Sequence, residues 1–377
     1  MKIIIVRGEL ETSSRRINNH ARILAEKGNL VSVLVWDRMC QLPKEEYNKD
    51  NYYIYRFRFK APTGLKMLFY LPIWWFFLFS WFLRKDWDIV DAIDFHSIIP
   101  ALVVAKIKRK PVIYEIADVY EDMLILPEAI RTIFIMVDKI FMRFSNAIII
   151  DNEARIKEFN GIPNKNINII YLNTPSDTYI KKDLLINSNL TNNAFTIFYA
   201  GAIFKNRKQN IDKVFHAVKN LNDVKLVVAG YGDQIEEIQA LFSEKADKAQ
   251  FLGRINYNEV IDRTTSADLL FALYDPVVPN TRYSILIKVL EAMMCGKPIL
   301  VSKDTATADI VKKEKCGLII EDPRNPEEIK NAILKLKNSP ELCRQLGNNG
   351  RKAYEQFYSH DIMKERLLAL YEKLNKQ

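Results

Sequence analysis

The chain has few of the residues that build metal centres or disulfide frameworks. It contains four cysteines and four histidines in 377 residues. The cysteines show no Cys-x-x-Cys spacing and no partnering histidines, so we expect neither a structural metal nor disulfides. A reducing cytosol is then the expected compartment. The cysteines are Cys40, Cys295, Cys316 and Cys343.

Low-complexity tracts and repeats of solenoid period are also missing, which argues against the disordered and repeat classes. Hydrophobic residues make up 49% of the chain and charged residues 27%, as in a globular protein with a buried core. The length suits two α/β domains. The net charge of +9 indicates an anionic partner. Charge alone does not distinguish between nucleic acid, acidic lipid and a phosphorylated small molecule.

Short apolar runs alternate with helical periodicity, which is typical of parallel strands covered on both faces. The run at the amino terminus is too short for a signal peptide and is predicted to be a first strand. A helix is predicted over Ser14–Lys27, closed by Gly28. The strands predicted in the first half are Ile3–Val6, Val31–Val35, Tyr53–Phe59, Ile89–Ala92, Val112–Ile116, Ala147–Ile150 and Ile167–Tyr171.

A polar, linker-like stretch at residues 173–193 precedes a second series of strands and helices. The predicted strands there are Phe195–Ala200, Val224–Ala229, Leu269–Leu273, Pro298–Val301 and Leu318–Ile320. The predicted helices are Asn210–Asn220, Gln234–Glu244, Asn258–Thr264, Ser284–Cys295, Pro326–Asn338 and Asp361–Leu374. We therefore predict an α/β protein with two Rossmann-like doubly wound domains, residues 1–185 and 190–357, with a terminal helix at 358–377 packing back on the first.

The predicted helix Ser284–Cys295 is apolar almost all round, yet it contains Lys288 and Glu291 one turn apart. An ordinary surface pair is one interpretation. A carboxylate on an otherwise buried helix favours another, in which Glu291 binds the two hydroxyls of a ribose. The amino terminus of this helix would add backbone donors and a favourable dipole for phosphate.

Two glycine-containing loops follow strands of the second half. Gly201 would allow a ligand close to the backbone, and Lys205, Arg207 and Lys208 would then neutralise a diphosphate. A solvated basic loop is the alternative. Gly230 ends another strand and is interpreted as a turn first and a binding loop second.

Taken in order, these stretches resemble the retaining nucleotide-sugar glycosyltransferases of family 4. The matching motifs are YAGAIF at Tyr199–Phe204, LVVAGYGD at Leu226–Asp233, FLGRI at Phe251–Ile255, SADLLFAL at Ser266–Leu273, KVLEAMMCGKPIL at Lys288–Leu300 and CGLIIEDP at Cys316–Pro323. The resemblance runs over nearly the whole chain and is strongest over residues 195–357. It implies the GT-B fold, in which two Rossmann-like domains face a central cleft.

The resemblance also implies roles for individual residues. Glu291 would bind the ribose of the donor, Lys208 its phosphates, and Gly201 would open the phosphate loop. Arg254 falls where the base is usually held, and Ser284–Lys288 resembles a Ser-Pro-Asn-Lys-like lead-in. The predicted donor-binding residues are Gly201, Arg207, Lys208, Gly230, Arg254, Ser284, Lys288 and Glu291.

The sequence departs from the family pattern at three places. Many members carry a first glutamate eight residues before the second, where this chain has Tyr283. The arginine that often follows the phosphate-loop glycine is Ala202, and the usual Gly-Gly after the first strand is a single Gly8. A non-catalytic nucleotide-sugar-binding scaffold therefore stays open beside the enzyme.

By resemblance, the first domain should hold the acceptor. Candidates stand at the carboxyl ends of its predicted strands, where ligands bind in such sheets. Asp118 and His96 are the predicted catalytic residues. Related enzymes often have a histidine shortly before the aspartate, where this chain has Ala117, and His96 could instead be a capping residue.

The segment Leu65–Leu83 is apolar enough to be a transmembrane candidate. Because it lies between strands of one sheet, we expect it to dock on a membrane surface, with burial in the core as the alternative and a span least favoured. Trp74, Trp75 and Trp81 are the expected interfacial residues. The basic residues flanking the segment are Lys60, Lys66, Arg84 and Lys85. The predicted helix Glu128–Ser145 would extend the basic face.

The expected reaction is hexosyl transfer from a nucleoside-diphosphate sugar to a hydroxyl acceptor, with retention. We find no convincing Asp-x-Asp motif, since Asp91 and Asp94 have the wrong spacing, and expect no metal or other cofactor. A lipid-linked or membrane-associated glycan is the expected acceptor, on the cytoplasmic face of the cell membrane. A GT-B-fold nucleotide-sugar epimerase is an alternative, whereas a nucleic-acid partner is not expected.

Overall fold

The computed structural model describes residues 1–10, 15–62, 64–117, 128–179 and 194–376. Two compact units make up the chain. The first unit comprises Met1–Asn173 and Met363–Gln377, and the second comprises Thr174–Ile362.

The first unit contains an eight-stranded sheet. Its strands are β1 (Lys2–Arg7), β2 (Leu30–Asp37), β3 (Glu45–Asn48), β4 (Tyr52–Arg58), β5 (Ile89–Ile93), β6 (Val112–Ile116), β7 (Ala147–Ile150) and β8 (Ile167–Ile169). Their order is β3-β4-β2-β1-β5-β6-β7-β8, and every neighbouring pair is parallel except β3 with β4. The chain winds outward from β1 in one direction and from β5 in the other, so the switch point of this sheet lies between β1 and β5.

Helices cover this sheet. They are α1 (Arg15–Glu26), α2 (Leu71–Arg84), α3 (Phe95–Lys108), α4 (Glu128–Phe144) and α5 (Ala154–Glu158), and a 3-10 turn at Gly64–Tyr70 leads into α2. The predicted helix at Ser14–Lys27 is confirmed over α1, although Ser14 lies outside the described residues. Gly28 has φ of 81°, as a helix-closing glycine requires.

The second unit contains a six-stranded sheet. Its strands are β9 (Phe195–Ala202), β10 (Val224–Tyr231), β11 (Ala249–Phe251), β12 (Leu269–Ala272), β13 (Ile299–Ser302) and β14 (Gly317–Ile320). All are parallel, in the order β11-β10-β9-β12-β13-β14. The switch point of this sheet lies between β9 and β12.

The remaining helices follow in chain order. They are α6 (Ile211–Val218), α7 (Ile235–Ser243), α8 (Tyr257–Ser266), α9 (Pro279–Tyr283), α10 (Ile287–Met294), α11 (Ala306–Glu314), α12 (Pro326–Lys337), α13 (Pro340–Ala353) and α14 (His360–Asn375). Tyr371 of α14 donates a hydrogen bond to Asp91 Oδ2 at 2.9 Å, so the end of this helix packs on the first unit.

The single helix predicted over Ser284–Cys295 is wrong at its start. Ser284 is extended, with φ of −92° and ψ of 148°, and ends the short helix α9. α10 begins only at Ile287. The continuous apolar run suggested one helix, whereas Leu286 N donates to Thr307 Oγ1 at 3.3 Å in the turn between the two.

The expectation for the tryptophans of the 65–83 segment is also wrong in part. Trp74 is fully buried in the core of the first unit and stacks on Trp36 at a centroid distance of 5.5 Å. Trp75 and Trp81 are half-buried. The side chains that the segment exposes are phenylalanine and aliphatic ones, so its surface is apolar but not tryptophan-rich.

Three neighbouring helices of the first unit expose large apolar side chains. We call this surface the apolar face. It comprises Phe69, Ile73, Phe76 and Leu83 of the α2 segment, Val103 and Ile107 of α3, and Ile133, Met136, Ile140 and Phe144 of α4. Lys66–Arg84 is long and apolar enough to cross a membrane by length and composition. However, Leu71, Trp74, Leu78 and Phe82 belong to the core of the unit, so α2 is a packed helix of this domain.

Candidate functional site

A buried lysine lies at the switch point of the second sheet. Lys288 of α10 donates from Nζ to Tyr274 Oη at 3.2 Å, and its ammonium lies 4.7 Å from the centroid of the Tyr199 ring. Tyr199 belongs to β9, and Tyr274 follows β12. A Cβ built on Gly201, at the end of β9, would be 2.6 Å from Lys288 Nζ. The absence of a side chain at Gly201 thus lets the backbone approach this ammonium.

The two tyrosines of this cluster differ in acidity. Burial alone would raise the pKa of Tyr274, but the Lys288 charge and the hydrogen bonds from Tyr199 and Lys288 lower it below its usual value. Burial and the neighbouring Tyr274 hold the pKa of Tyr199 well above its usual value. The hydroxyls lie 3.0 Å apart. The positive charge of this cluster is the Lys288 ammonium, which lies next to Gly201 and can attract an anionic ligand there.

Glu291 lies one turn beyond Lys288 on α10, and only 5% of its surface is exposed. Apolar residues surround this helix, so Lys288 and Glu291 are both buried in the second unit. Ser284, in contrast, ends α9, and its Oγ lies 3.2 Å from Asn280 Oδ1. It stands before the helix that carries Lys288 and Glu291, rather than within it.

The basic loop after β9 lines an open pocket. Lys208 has left-handed backbone geometry with φ of 46°, and its ammonium lies 3.9 Å from Asp275 Oδ2. Arg207 packs on the Phe204 ring with its guanidinium 5.8 Å from the centroid. Lys205 is ion-paired with Glu237. The pocket is lined by Lys205, Lys208, Gln209, Asn210, Asp212, Lys213, Gln234, Asp275 and Arg324. Arg324 is a basic residue that the sequence motifs did not single out.

Gly230 lies near the end of β10, and Arg254 follows β11 by three residues. A Cβ on Gly230 would be 2.2 Å from the carbonyl oxygen of Gly201, so β9 and β10 approach each other as closely as glycine permits. The Arg254 guanidinium lies 4.9 Å from the centroid of the Tyr231 ring, just past the end of β10. Both residues therefore stand at the carboxyl edge of the sheet, as Gly201 does.

In the first unit, His96 lies at the switch point between β1 and β5. It is buried in the first turn of α3, and a Cβ on Gly8 would be 2.2 Å from His96 Cδ2. Asp94, just before it, lies 3.1 Å from Arg7 Nη2 and accepts from Ala117 N at 2.8 Å. Asp118 lies outside the described residues.

A second buried polar cluster lies within the same sheet. Arg16 Nη1 donates to Glu115 Oε1 at 2.8 Å, and His20 Nδ1 lies 3.3 Å from Glu115 Oε2. His20 Nε2 lies 3.1 Å from the Tyr371 hydroxyl, which donates to Asp91. Glu115 is thus buried in the core of the first unit, where Arg16 and His20 contact its carboxylate.

Burial and mutual charge perturb every acid of this cluster. Burial raises the pKa of Asp91 to about 7 against the opposing effect of His20. Burial alone would raise the pKa of Glu115, but His20 and Arg16 lower it to about 2. The pKa of His20 is raised by the two carboxylates despite burial. His20, Asp91 and Glu115 are close enough to form a metal ligand set, but Arg16 and Tyr371 already donate to the carboxylates.

The chain also contains an Asp-x-Asp sequence at Asp86–Asp88. It precedes β5, at the amino end of the strand, where ligands do not bind in a parallel sheet. Asp86 pairs with Lys2 at 2.6 Å and Asp88 with Lys110 at 3.4 Å. These carboxylates therefore neutralise neighbouring lysines.

Comparison with known proteins finds a family model that matches most of the second unit. Residues 181–353 match the family model described as glycosyl transferases group 1. An uncharacterized glycosyltransferase of Methanocaldococcus jannaschii is 26% identical over 179 residues, which cover 47% of each chain. A GDP-mannose-dependent monoacylated alpha-(1-6)-phosphatidylinositol monomannoside mannosyltransferase of Corynebacterium glutamicum is 27% identical over 151 residues, 38% of each chain. The matched part is about half the length of the first of these relatives.

Solved structures match over the full chain. Sucrose-phosphate synthase from Thermosynechococcus elongatus superposes with a TM-score of 0.77 at 14% identity over 99% of both chains. HepE of Anabaena in complex with UDP superposes with a TM-score of 0.71 at 14% identity over 100% of both chains. The fold is GT-B, as predicted, and the resemblance to a GT-B glycosyltransferase is confirmed.

Proposed function

We propose that this protein transfers a glycosyl group from a nucleoside-diphosphate sugar to a hydroxyl acceptor at a membrane surface. The observation that carries the proposal is the buried Lys288 ammonium beneath Gly201, with Glu291 one turn further along α10. This arrangement lies in the unit that matches the group 1 glycosyl transferases. A cation beneath an open backbone, beside a buried carboxylate, suits a ligand with both a diphosphate and a ribose.

The same residues would stabilise the leaving group. As the glycosidic bond breaks, negative charge grows on the nucleoside diphosphate, and fixed positive charge nearby lowers the barrier. Lys288 would provide that charge from within the core, and Lys208 and Arg207 from the loop after β9. We propose that these cations act without a metal ion, and that the reaction retains the anomeric configuration, as the family 4 resemblance implies.

Similar proteins support a proposal for the donor. HepE was crystallised with UDP, and the Corynebacterium glutamicum relative is named for GDP-mannose. We propose a hexose donor carried on one of these two nucleotides. Arg254, stacked on Tyr231 at the end of β10, is the proposed neighbour of the base.

The apolar face supports a membrane-bound acceptor. Phe69 and Phe76 expose 84% and 77% of their surface, which is unfavourable in water. Among the side chains that the structure describes on α2, α3 and α4, the exposed charged ones are all basic. They are Arg84, Lys106 and Arg143. Lys85 and Arg109 directly follow α2 and α3, and exposed Asp86, next to Lys85, is paired with Lys2. Exposed apolar residues with cations on the same helices fit an anionic lipid surface. We propose peripheral docking on the cytoplasmic face and a lipid-linked or membrane-associated glycan as acceptor.

A transfer assay tests the proposal. The full chain is incubated with phosphatidylglycerol vesicles, a series of lipid-linked saccharides, and UDP-glucose or GDP-mannose carrying a radiolabelled sugar. Label in the lipid fraction with wild-type protein, lost in Glu291→Gln and kept in Glu341→Gln, is expected. Glu341 is an exposed carboxylate of the second unit paired with Arg344, which makes it a matched control. Nucleotide binding without transfer would favour the scaffold, and release of an epimerised sugar would favour the epimerase.

A further inference from the structure

A proline deprives the His96 carbonyl of its helical hydrogen bond. In an α-helix the carbonyl of residue i accepts from the amide of residue i+4. The residue four positions after His96 is Pro100, which lies inside α3 and has no amide hydrogen. A buried carbonyl without a donor is costly, so another group is expected to satisfy it.

Two tryptophans of α2 provide the replacement. Trp74 Nε1 donates to the His96 carbonyl oxygen at 3.1 Å, and Trp75 Nε1 donates to the same oxygen at 3.0 Å. Trp74 is held firmly, because it is fully buried and stacked on Trp36. The first turn of α3 is thereby attached to the same helix that presents Ile73 and Phe76 on the apolar face.

The carbonyl and the imidazole of His96 belong to one residue at the switch point. The imidazole lies against Gly8, at the end of β1, so closely that a methyl group there would overlap it. Little room is left for the ring to move independently of its backbone. A displacement of the carbonyl would therefore move the imidazole as well.

We propose that Trp74 and Trp75 are positioning residues that fix His96 for the acceptor, so that the helix meeting the membrane also sets the geometry of the acceptor site. This inference rests on the proposed function, because it takes His96 as an acceptor-side residue. The tryptophans act from inside the protein through their indole N–H groups, whereas lipid contact is made by the phenylalanines on the other side of α2.

Replacing the two tryptophans by phenylalanine tests whether their indole N–H groups position His96, and the test does not require an activity assay. Trp75→Phe removes one donor at a half-buried position, and Trp74→Phe/Trp75→Phe removes both. Trp81→Phe is the matched control, because Trp81 lies on the same helix and packs on Tyr55 rather than on His96. The chain has only four histidines, so the His96 imidazole signals can be assigned by nitrogen-15 NMR with a His96→Gln reference. We expect them to shift in Trp75→Phe and to stay in Trp81→Phe.

Pro100→Ala provides a rescue. It restores an amide at the position from which a helix normally donates to His96. We expect the Trp74→Phe/Trp75→Phe/Pro100→Ala protein to recover the wild-type His96 signals. If the His96 signals are the same in wild type and Trp75→Phe, or if Pro100→Ala recovers nothing, the inference is overturned.

Kinetics then separates positioning from structure. In Trp75→Phe we expect kcat for transfer to the lipid-linked saccharide to fall about tenfold or more, because a small misplacement is costly. KM for the donor sugar nucleotide and binding to phosphatidylglycerol vesicles should not change. Shifted His96 signals with unchanged kcat would overturn the positioning role. Absence of transfer in the wild type would instead overturn the proposed function, while the NMR result would still decide whether the indoles hold His96.

Discussion

The apolar face can be tested through Phe69 and Phe76, which lie on the α2 segment with 84% and 77% of their surface exposed. Fully burying a phenylalanine contributes about 1.5–3 kcal/mol. Scaled by these exposures, transfer of both rings into lipid would contribute about 2.5–5 kcal/mol, or at least roughly 50-fold in partitioning. Insertion to half that depth would still give nearly tenfold.

We therefore expect Phe69→Ser/Phe76→Ser to lose most of its binding to phosphatidylglycerol vesicles in a flotation assay. Its melting temperature should not fall, because neither ring contributes to the core. Phe357→Ser is the control, since Phe357 is an exposed phenylalanine of the second unit. Wild-type flotation of the double variant would refute the assignment of this face to lipid. Binding that is lost in salt but insensitive to both phenylalanines would show that the basic residues act alone.

Three further predictions concern the two buried clusters and the strand ends. Asp91 and His20 have folded-state pKa values raised above their unfolded values, so the folded state keeps protons that the unfolded chain loses, and stability falls as pH rises. The melting temperature of the wild type, measured by calorimetry, should therefore fall by several degrees between pH 5 and pH 8. The fall should be smaller in His20→Gln/Asp91→Asn and unchanged in the control variant His216→Gln. Glu115, with its pKa lowered to about 2, acts only below this range. Lys288→Met should weaken nucleoside diphosphate binding at least about tenfold in calorimetry. Its melting temperature should not fall, since an apolar group replaces a desolvated charge. Lys303→Met, at an exposed lysine, is the control and should leave binding unchanged. Gly230→Ala should lower the free energy of unfolding in urea by about 2–3 kcal/mol, because its methyl group would strike the Gly201 carbonyl. Gly253→Ala meets no neighbour and should lower it by only about 1 kcal/mol. The first prediction is contradicted if the double variant and His216→Gln show the same dependence of melting temperature on pH. The second is contradicted if Lys288→Met binds nucleoside diphosphate as tightly as the wild type, and the third if both glycine variants lose the same free energy of unfolding.

Periodicity predicted most of the architecture, because buried parallel strands have an unmistakable apolar run. It missed β3, whose residues are mostly exposed, and the three-residue β11. It also missed α13, where Gly347 and Gly350 argue against a helix. In the structure, a Cβ on Gly347 would be 2.1 Å from the Gly296 carbonyl, so these glycines allow close packing.

Motifs located the buried charges of α10 but not the tyrosines that surround Lys288. Lys288 and Glu291 could be named from the sequence because charge is rare on a buried helix. Tyr199 and Tyr274 could not, since each looks like an ordinary strand-end aromatic, and only the fold brings them 3.0 Å apart. The hydrogen bonds from the two indoles to His96 could not be predicted from the sequence either. Tryptophans flanked by basic residues predict a membrane interface, and the pattern does not tell whether their N–H groups point into the protein.

The most direct test of the account is calorimetric binding of UDP, GDP, ADP, CDP and dTDP, each with magnesium and with EDTA. We predict that one nucleoside diphosphate binds equally well in both conditions. Glu291→Gln should weaken it about 10- to 100-fold, as expected for losing a hydrogen bond to a charged group, while Glu341→Gln should not. If no nucleoside diphosphate binds, or if binding is indifferent to Glu291, the central claim of a nucleotide-sugar site in the second unit is contradicted.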